Sequence, residues 1–171
     1  MVVVTGGAIG IGAAIAEACA RRGDVVVTMD PMVALDGSVP AGDTSSGPTT
    51  AERIVAAGGT ARASAVSVTD AVAVAALFTE LADEFGSLDA VVNVAGITRT
   101  TGFASGDEQD WAAVLAVHLD GYRTVLGAAL PLMAAQGHGR IVGVTSGSGW
   151  RAADAGAYGC AKRAVAPMTW E

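Results

Sequence analysis

Met1-Val2-Val3-Val4 followed by Thr5-Gly6-Gly7-Ala8-Ile9-Gly10-Ile11-Gly12 is the stretch on which the fold turns. The valine run reads as a buried strand, the glycines as a tight turn, and Gly10 to Arg22 as a helix. Glycines between a strand and a helix let the backbone approach a pyrophosphate, which the N–H groups and positive dipole of the helix N-terminus stabilise. The spacing is GxxxGxG and not GxGxxG. The same glycines also fit a plainer role, with Gly6 and Gly7 punctuating a turn and Gly10 and Gly12 admitting close helix packing.

Outward from this unit, short runs rich in Val and Ile recur at Val25 to Thr28, Ala63 to Val66, Ala90 to Val94 and Ile141 to Thr145. Between them lie stretches of helical periodicity at Thr50 to Ala57, Asp70 to Phe85 and Asp107 to Ala135. The alternation predicts an α/β fold with a parallel sheet covered by helices on both faces. Gly23, Gly58 and Gly86 stand where helices should stop, and Ser105 with Glu108 has capping-box spacing. From residue 31 to residue 49 the composition shifts to Pro, Gly, Ser, Thr and Asp, which predicts a long surface loop serving as a lid or as a mobile insertion. With no repeat or linker visible, residues 1–171 read as one domain.

The chain has 171 residues, 51% of them hydrophobic and 16% charged, enough to bury a substantial core. A net charge of −7 with scattered Lys and Arg argues against nucleic-acid and anionic-membrane partners, since both need a basic footprint. No apolar run is long enough to span a bilayer. Cys19 and Cys160 have no CxxC or metal-ligand spacing, so no metal site is expected and a reduced, cytoplasmic setting is the simplest expectation.

Asp30 ends the second strand about twenty residues beyond the glycines, where a carboxylate accepts hydrogen bonds from a ribose and repels a 2′-phosphate. No Arg or Lys stands at Gly7 or from Met29 to Pro31 to welcome that phosphate. NAD(H) is therefore expected over NADP(H). Tyr158-Gly159-Cys160-Ala161-Lys162 places a phenol and an ammonium four residues apart, on one face of a helix if the segment is helical. A nearby cation favours a phenolate and brings such a group towards proton exchange at neutral pH. Ser146 follows the fifth strand at the end where ligands bind in open α/β sheets, with Thr145 and Ser148 as competitors for a substrate hydrogen bond.

Together these segments resemble the short-chain dehydrogenase/reductase family along the whole chain, from the TGxxxGxG turn to YxxxK. Asn93-Val94-Ala95-Gly96 resembles its NNAG motif. Ser67-Val68-Thr69-Asp70 resembles its DVTD segment, with Ser67 where Asp is usual. The resemblance implies a Rossmann-type doubly wound fold and reversible hydride transfer between a nicotinamide and an alcohol or ketone. It makes Tyr158 the general acid/base, Lys162 its partner and ribose ligand, and Ser146 the group that polarises the substrate oxygen. It makes Gly6, Ile9, Gly10, Ile11, Gly12, Asp30, Ser67, Val68, Asn93, Ala95, Gly96, Tyr158 and Lys162 cofactor-binding. Val117-His118-Leu119-Asp120-Gly121 stands where the family has VNLxG, so His118 either joins the proton relay or is a helix residue satisfied by a neighbouring carbonyl.

The long loop and the VHLxG segment are similar to those of family members acting on 3-hydroxyacyl or 3-oxoacyl thioesters, though members with long loops there also act on steroids and terpenoid alcohols. In the family a further strand, a PG turn, a lid and a final strand follow the YxxxK helix, so a chain ending at Glu171 is expected to be C-terminally truncated. Pro167 is expected to kink the last helix. A non-catalytic NAD-binding module, or an inactive fragment of a longer enzyme, is the alternative function. The family's dimer contact through the long helix and the YxxxK helix implies a homodimer or homotetramer.

Overall fold

The computed structural model describes residues 1–39, 47–151 and 154–170; the centre of the expected long loop, residues 40–46, lies outside them. Five strands form one parallel sheet: β1 (Val2–Thr5), β2 (Val25–Met29), β3 (Thr60–Ser64), β4 (Ala90–Asn93) and β5 (Arg140–Gly143), in the order β3-β2-β1-β4-β5. The helices are α1 (Gly10–Arg21), α2 (Thr50–Ala56), α3 (Ala71–Phe85), α4 (Glu108–Leu115), α5 (Gly121–Gln136) and α6 (Gly156–Trp170). A π-helical turn, Ala116–Asp120, joins α4 to α5.

The valine-rich strands form here because both faces of the sheet are covered. Val3, Val27 and Val91 point into a core shared with Val74, Phe78 and Leu81 of α3 and Val125 and Ala129 of α5. Their neighbours Val2, Val4, Val26 and Val92 point the other way, against Ala16 of α1 and Ile54 of α2. Each fully buried valine contributes about 1.5–3 kcal/mol relative to exposure, so a one-residue slip of β1 would misplace the whole set.

Two strand boundaries differ from expectation. The third strand lies at Thr60–Ser64 and not at Ala63 to Val66, because Val25↔Thr60 register sets the pairing of this edge strand, whose sequence mixes Ala with Thr, Arg and Ser. The fifth ends at Gly143 and not at Thr145; the Thr145 hydroxyl instead donates to the Lys162 carbonyl at 2.6 Å. The cap of α4 is Asp107, which accepts from the Asp110 amide at 2.7 Å, and not Ser105, whose own amide closes a turn onto Gly102. Capping-box geometry occurs at α2, between Thr49 and Glu52. Pro131 and Pro167 are both accommodated inside helices. Among the described residues no helix is long and apolar enough to cross a membrane, and no cluster of three or more potential metal ligands occurs.

Candidate active site

Strand β1 is the centre of the sheet, with its neighbours β2 and β4 leading away on opposite sides, so a crevice opens beyond its C-terminal end. A cleft of about 630 Å³ lies there. That is within the roughly 300–1,000 Å³ usual for small-molecule sites. Its lining includes Gly6, Ile9, Gly10, Ile11 and Gly12 from the first turn, and Asp30 at the end of β2. Ser67 and Val68 line it before α3, and Ala95 and Gly96 after β4. Ten of the residues expected around a cofactor are thus brought together.

The floor is shaped by backbone contact. Gly6 has φ +64°, and a Cβ there would stand 2.9 Å from the Ala95 backbone. The first turn of α1 has no side-chain cap, since Ile9 occupies that position. By contrast α2, α3 and α4 are capped by Thr49, Asp70 and Asp107. The uncapped amides beside a glycine turn suit an anion such as a pyrophosphate. Ile9 and Ile11 are exposed. These are the features of a surface that fits a dinucleotide.

The Asp30 carboxylate accepts from the Ala8 amide at 3.2 Å and from the Met32 amide at 2.9 Å. An ionised carboxylate offers about four lone-pair sites, so it retains capacity for a ribose hydroxyl. Ser67 and Thr69 bond each other through their hydroxyls at 2.8 Å, and Asp70 caps α3 by accepting from the Ala73 amide at 2.9 Å.

Asn93 does not line the cleft. Its Oδ1 accepts from the Thr5 hydroxyl at 2.8 Å, while Thr5 Oγ1 accepts from the Val94 and Ala95 amides, both at 3.1 Å. Asn93 acts on the cleft through Thr5, which holds the β4 loop against the glycine turn. No pattern in the sequence singles out Thr5 for this role, although it adjoins Gly6, or Ile97, Arg99, Ala116 and Val117 for the cleft wall.

Tyr158, Lys162 and Ser146 stand beyond that lining, towards β5 and α6. Tyr158 packs in an apolar cluster with Ile97 and Val117, so the two regions are continuous. The segment around YxxxK is helical, and the Thr101 hydroxyl fixes the start of α6 by donating to the Ala155 carbonyl at 3.0 Å. Lys162 is 5% exposed; its ammonium donates to the Val144 carbonyl at 2.8 Å and lies 6.0 Å from the Tyr158 ring centroid. Burial pushes the Lys162 ammonium below its ordinary range. Ser146 Oγ accepts from the Ser148 amide at 3.2 Å, which leaves its own proton to donate, whereas that of Thr145 is committed to Lys162.

His118 sits in the π-helical turn, 5% exposed, with its ring edge-on to Tyr158 at 5.1 Å. Such turns widen a helix locally and often occur at functional sites. Its Nε2 lies 2.8 Å from the Ile97 carbonyl and 3.1 Å from the Ile97 amide, while its buried Nδ1 has no partner among the described residues. A neutral ring satisfies one of those Ile97 groups, not both. Gly96 has no side chain for a reason: a Cβ there would strike the imidazole. The expected neighbouring carbonyl is therefore present, and so is the approach to Tyr158.

Burial, and secondarily the Lys162 charge, hold the His118 imidazole below its ordinary 6.5, against the Ile97 bond that raises it. The unfolded chain then takes up a proton near pH 6.5 that the folded chain refuses, so stability is lost as pH falls below that value. One such group contributes at most about 1.4 kcal/mol per pH unit. Urea midpoints compared at pH 7 and pH 5.5 should fall more steeply for wild type than for His118→Asn. Parallel falls would remove His118 as a source of acid sensitivity.

A family model described as short chain dehydrogenase matches residues 1–171. The short-chain reductase protein NovJ of Streptomyces niveus is 36% identical over 167 residues, which is 98% of this chain and 60% of that protein. The hydroxyacyl-CoA dehydrogenase ChsB1 of Mycobacterium tuberculosis is 41% identical over 123 residues, 70% of this chain and 36% of that protein. The chain thus spans less than two thirds of the length of either relative. Among solved structures, a metagenomic short-chain oxidoreductase in complex with NADP superposes with TM-score 0.81 at 30% identity, covering 98% of this chain and 71% of that one. A glycine turn beneath an uncapped helix, a parallel sheet whose strand order reverses at β1 and a match along the full sequence lead to one conclusion: the chain belongs to the short-chain dehydrogenase family of oxidoreductases.

Proposed function

We propose that this chain transfers hydride between NAD(H) and a secondary alcohol or ketone, with 3-hydroxyacyl or 3-oxoacyl thioesters as the substrate class. The observation that carries the cofactor assignment is the Asp30 carboxylate on the wall of the same cleft whose floor is the Gly6–Gly12 turn. The relative named as a hydroxyacyl-CoA dehydrogenase supports the substrate class.

When bound, the nicotinamide supplies the hydride acceptor or donor. Gly6, Ile9, Gly10, Ile11 and Gly12 hold the pyrophosphate end, and Asp30, Ser67 and Val68 the adenosine. Ala95 and Gly96 supply wall backbone, kept in place by Asn93 through Thr5. In the oxidative direction Tyr158 takes the substrate hydroxyl proton as hydride leaves the carbon; in the reductive direction it returns that proton to the oxygen. Ser146 donates a hydrogen bond to the same oxygen. Lys162 faces the Tyr158 ring with its ammonium, whose direction the Val144 carbonyl fixes. His118 positions Ile97 and the Tyr158 ring.

Because a structural neighbour carries NADP, the cofactor choice must be read from individual residues. Fluorescence titration should show NADH bound roughly 10- to 100-fold more tightly than NADPH, a difference of about 1.4–2.8 kcal/mol. Asp30→Ala should shrink the ratio towards one by restoring NADPH binding and weakening NADH. Equal affinities in wild type would sink the assignment of Asp30. Tight NADH binding without turnover on an alcohol and 3-hydroxyacyl panel would favour a non-catalytic NAD-binding module instead.

A further inference from the structure

The chain that leaves β2 after Asp30 crosses to the β4 side of the sheet. The Thr98 amide donates to the Leu35 carbonyl at 2.7 Å, and a Cβ on Gly37 would stand 3.2 Å from the Ile97 side chain. Because β2 and β4 are the two neighbours of β1, a contact between their outgoing segments must pass over the C-terminal end of β1 and the glycine turn there. Val33, Ala34, Leu35 and Gly37 line the cleft from this crossing segment.

Arg99 fastens it. Its Nε donates to the Asp36 carbonyl at 2.6 Å, and another guanidinium nitrogen pairs with Asp110 Oδ1 of α4 at 2.9 Å. One side chain therefore ties the crossing segment to the helix that leads into the π-helical turn. The segment has internal order as well: Gly37 donates to the Ala34 carbonyl at 2.8 Å, and the Ala34 amide to the Ser38 carbonyl at 2.9 Å. All these partners are protein groups, so the fastening forms without help from a dinucleotide.

We infer that residues 31–38 are a strap across the dinucleotide crevice and that Arg99 is its latch, setting how fast cofactor enters and leaves. The inference rests on the proposed reading of the cleft as the NAD(H) site. A latch made only of protein contacts resists passage in both directions. Releasing it raises the association and dissociation rates together and leaves affinity nearly unchanged. A strap that merely contacted the bound cofactor would change the dissociation rate alone.

The test is stopped-flow NADH fluorescence on wild type, Arg99→Met and Asp110→Asn, with amide hydrogen exchange at Ala34 and Gly37. Arg99→Met keeps the aliphatic stem and removes both polar contacts. It should speed association and dissociation about fivefold to tenfold each, as expected for losing a partly exposed charged hydrogen-bonding group. Asp110→Asn should give a smaller rise in the same direction, and it carries the test if Arg99→Met does not fold. Exchange at Ala34 and Gly37 should accelerate in both variants. Unchanged rates, or a rise confined to dissociation, would overturn the latch. If wild type binds no NADH at all, the reading of the cleft fails first, and that result is distinct from unchanged rates in a protein that binds.

Discussion

Replacing Tyr158 with phenylalanine is expected to lower the rate of NADH-linked interconversion of a 3-hydroxyacyl and 3-oxoacyl thioester by about 10²–10⁴-fold, the usual worth of a positioned general acid/base. The substitution removes one oxygen and the only group at this position able to exchange a proton. The ring remains, and with it the packing on Ile97 and Val117 and the edge contact with His118. Lys162 keeps its bond to the Val144 carbonyl, so the substitution leaves its position unchanged. NADH affinity should stay within about threefold, roughly 0.7 kcal/mol. Rate and affinity measured on the same preparation separate a chemical role from a structural one. A variant that retains more than a tenth of the activity would show that the proton travels by another route.

The second large effect is expected at Gly6. Alanine there meets two penalties: a left-handed backbone, about 1–2 kcal/mol for a non-glycine residue, and a Cβ 2.9 Å from the Ala95 main chain. Because that neighbour is backbone and not the end of a flexible side chain, relief requires β1 and the β4 loop to separate. Overpacking of this kind costs about 1–3 kcal/mol. Gly6→Ala should therefore lose about 2–5 kcal/mol of stability. It should also lose most NADH binding, because separation breaks the Thr5 bonds to Val94 and Ala95. Gly10→Ala is the control: φ is +57°, but nothing lies within 4 Å of a Cβ, so only the backbone penalty remains. Denaturant melts of the two variants should differ by at least about 1 kcal/mol. Equal melts would mean that the close approach of Gly6 to Ala95 is not maintained in solution.

Local patterns were the readable part of this protein. The unit from Val2 to Gly12 declared itself because a buried strand, a glycine turn and a helix each leave a contiguous signature. Asp30 is legible from its place at a strand end, and YxxxK from the helical spacing of Tyr158 and Lys162, which α6 realises. The third strand departs from the expected Ala63 to Val66 because Thr60–Ser64 is an edge strand with a half-polar sequence, and its position is set by pairing with Val25–Met29. Ser105 has the spacing of a cap, but it is Asp107, two residues later, that reaches the Asp110 amide.

The residues themselves carry the alternating order of strands and helices, the anion-ready turn and the acid beyond it, because each depends on neighbours a few positions away. The folded chain alone decides that Asn93 serves through Thr5, that His118 grips Ile97, that the Val144 carbonyl holds Lys162 and that Arg99 ties down the segment after Asp30. Three of these contacts join residues 88, 21 and 63 positions apart. The order β3-β2-β1-β4-β5 brings such distant segments together, and a pattern read along the chain has no term for that order.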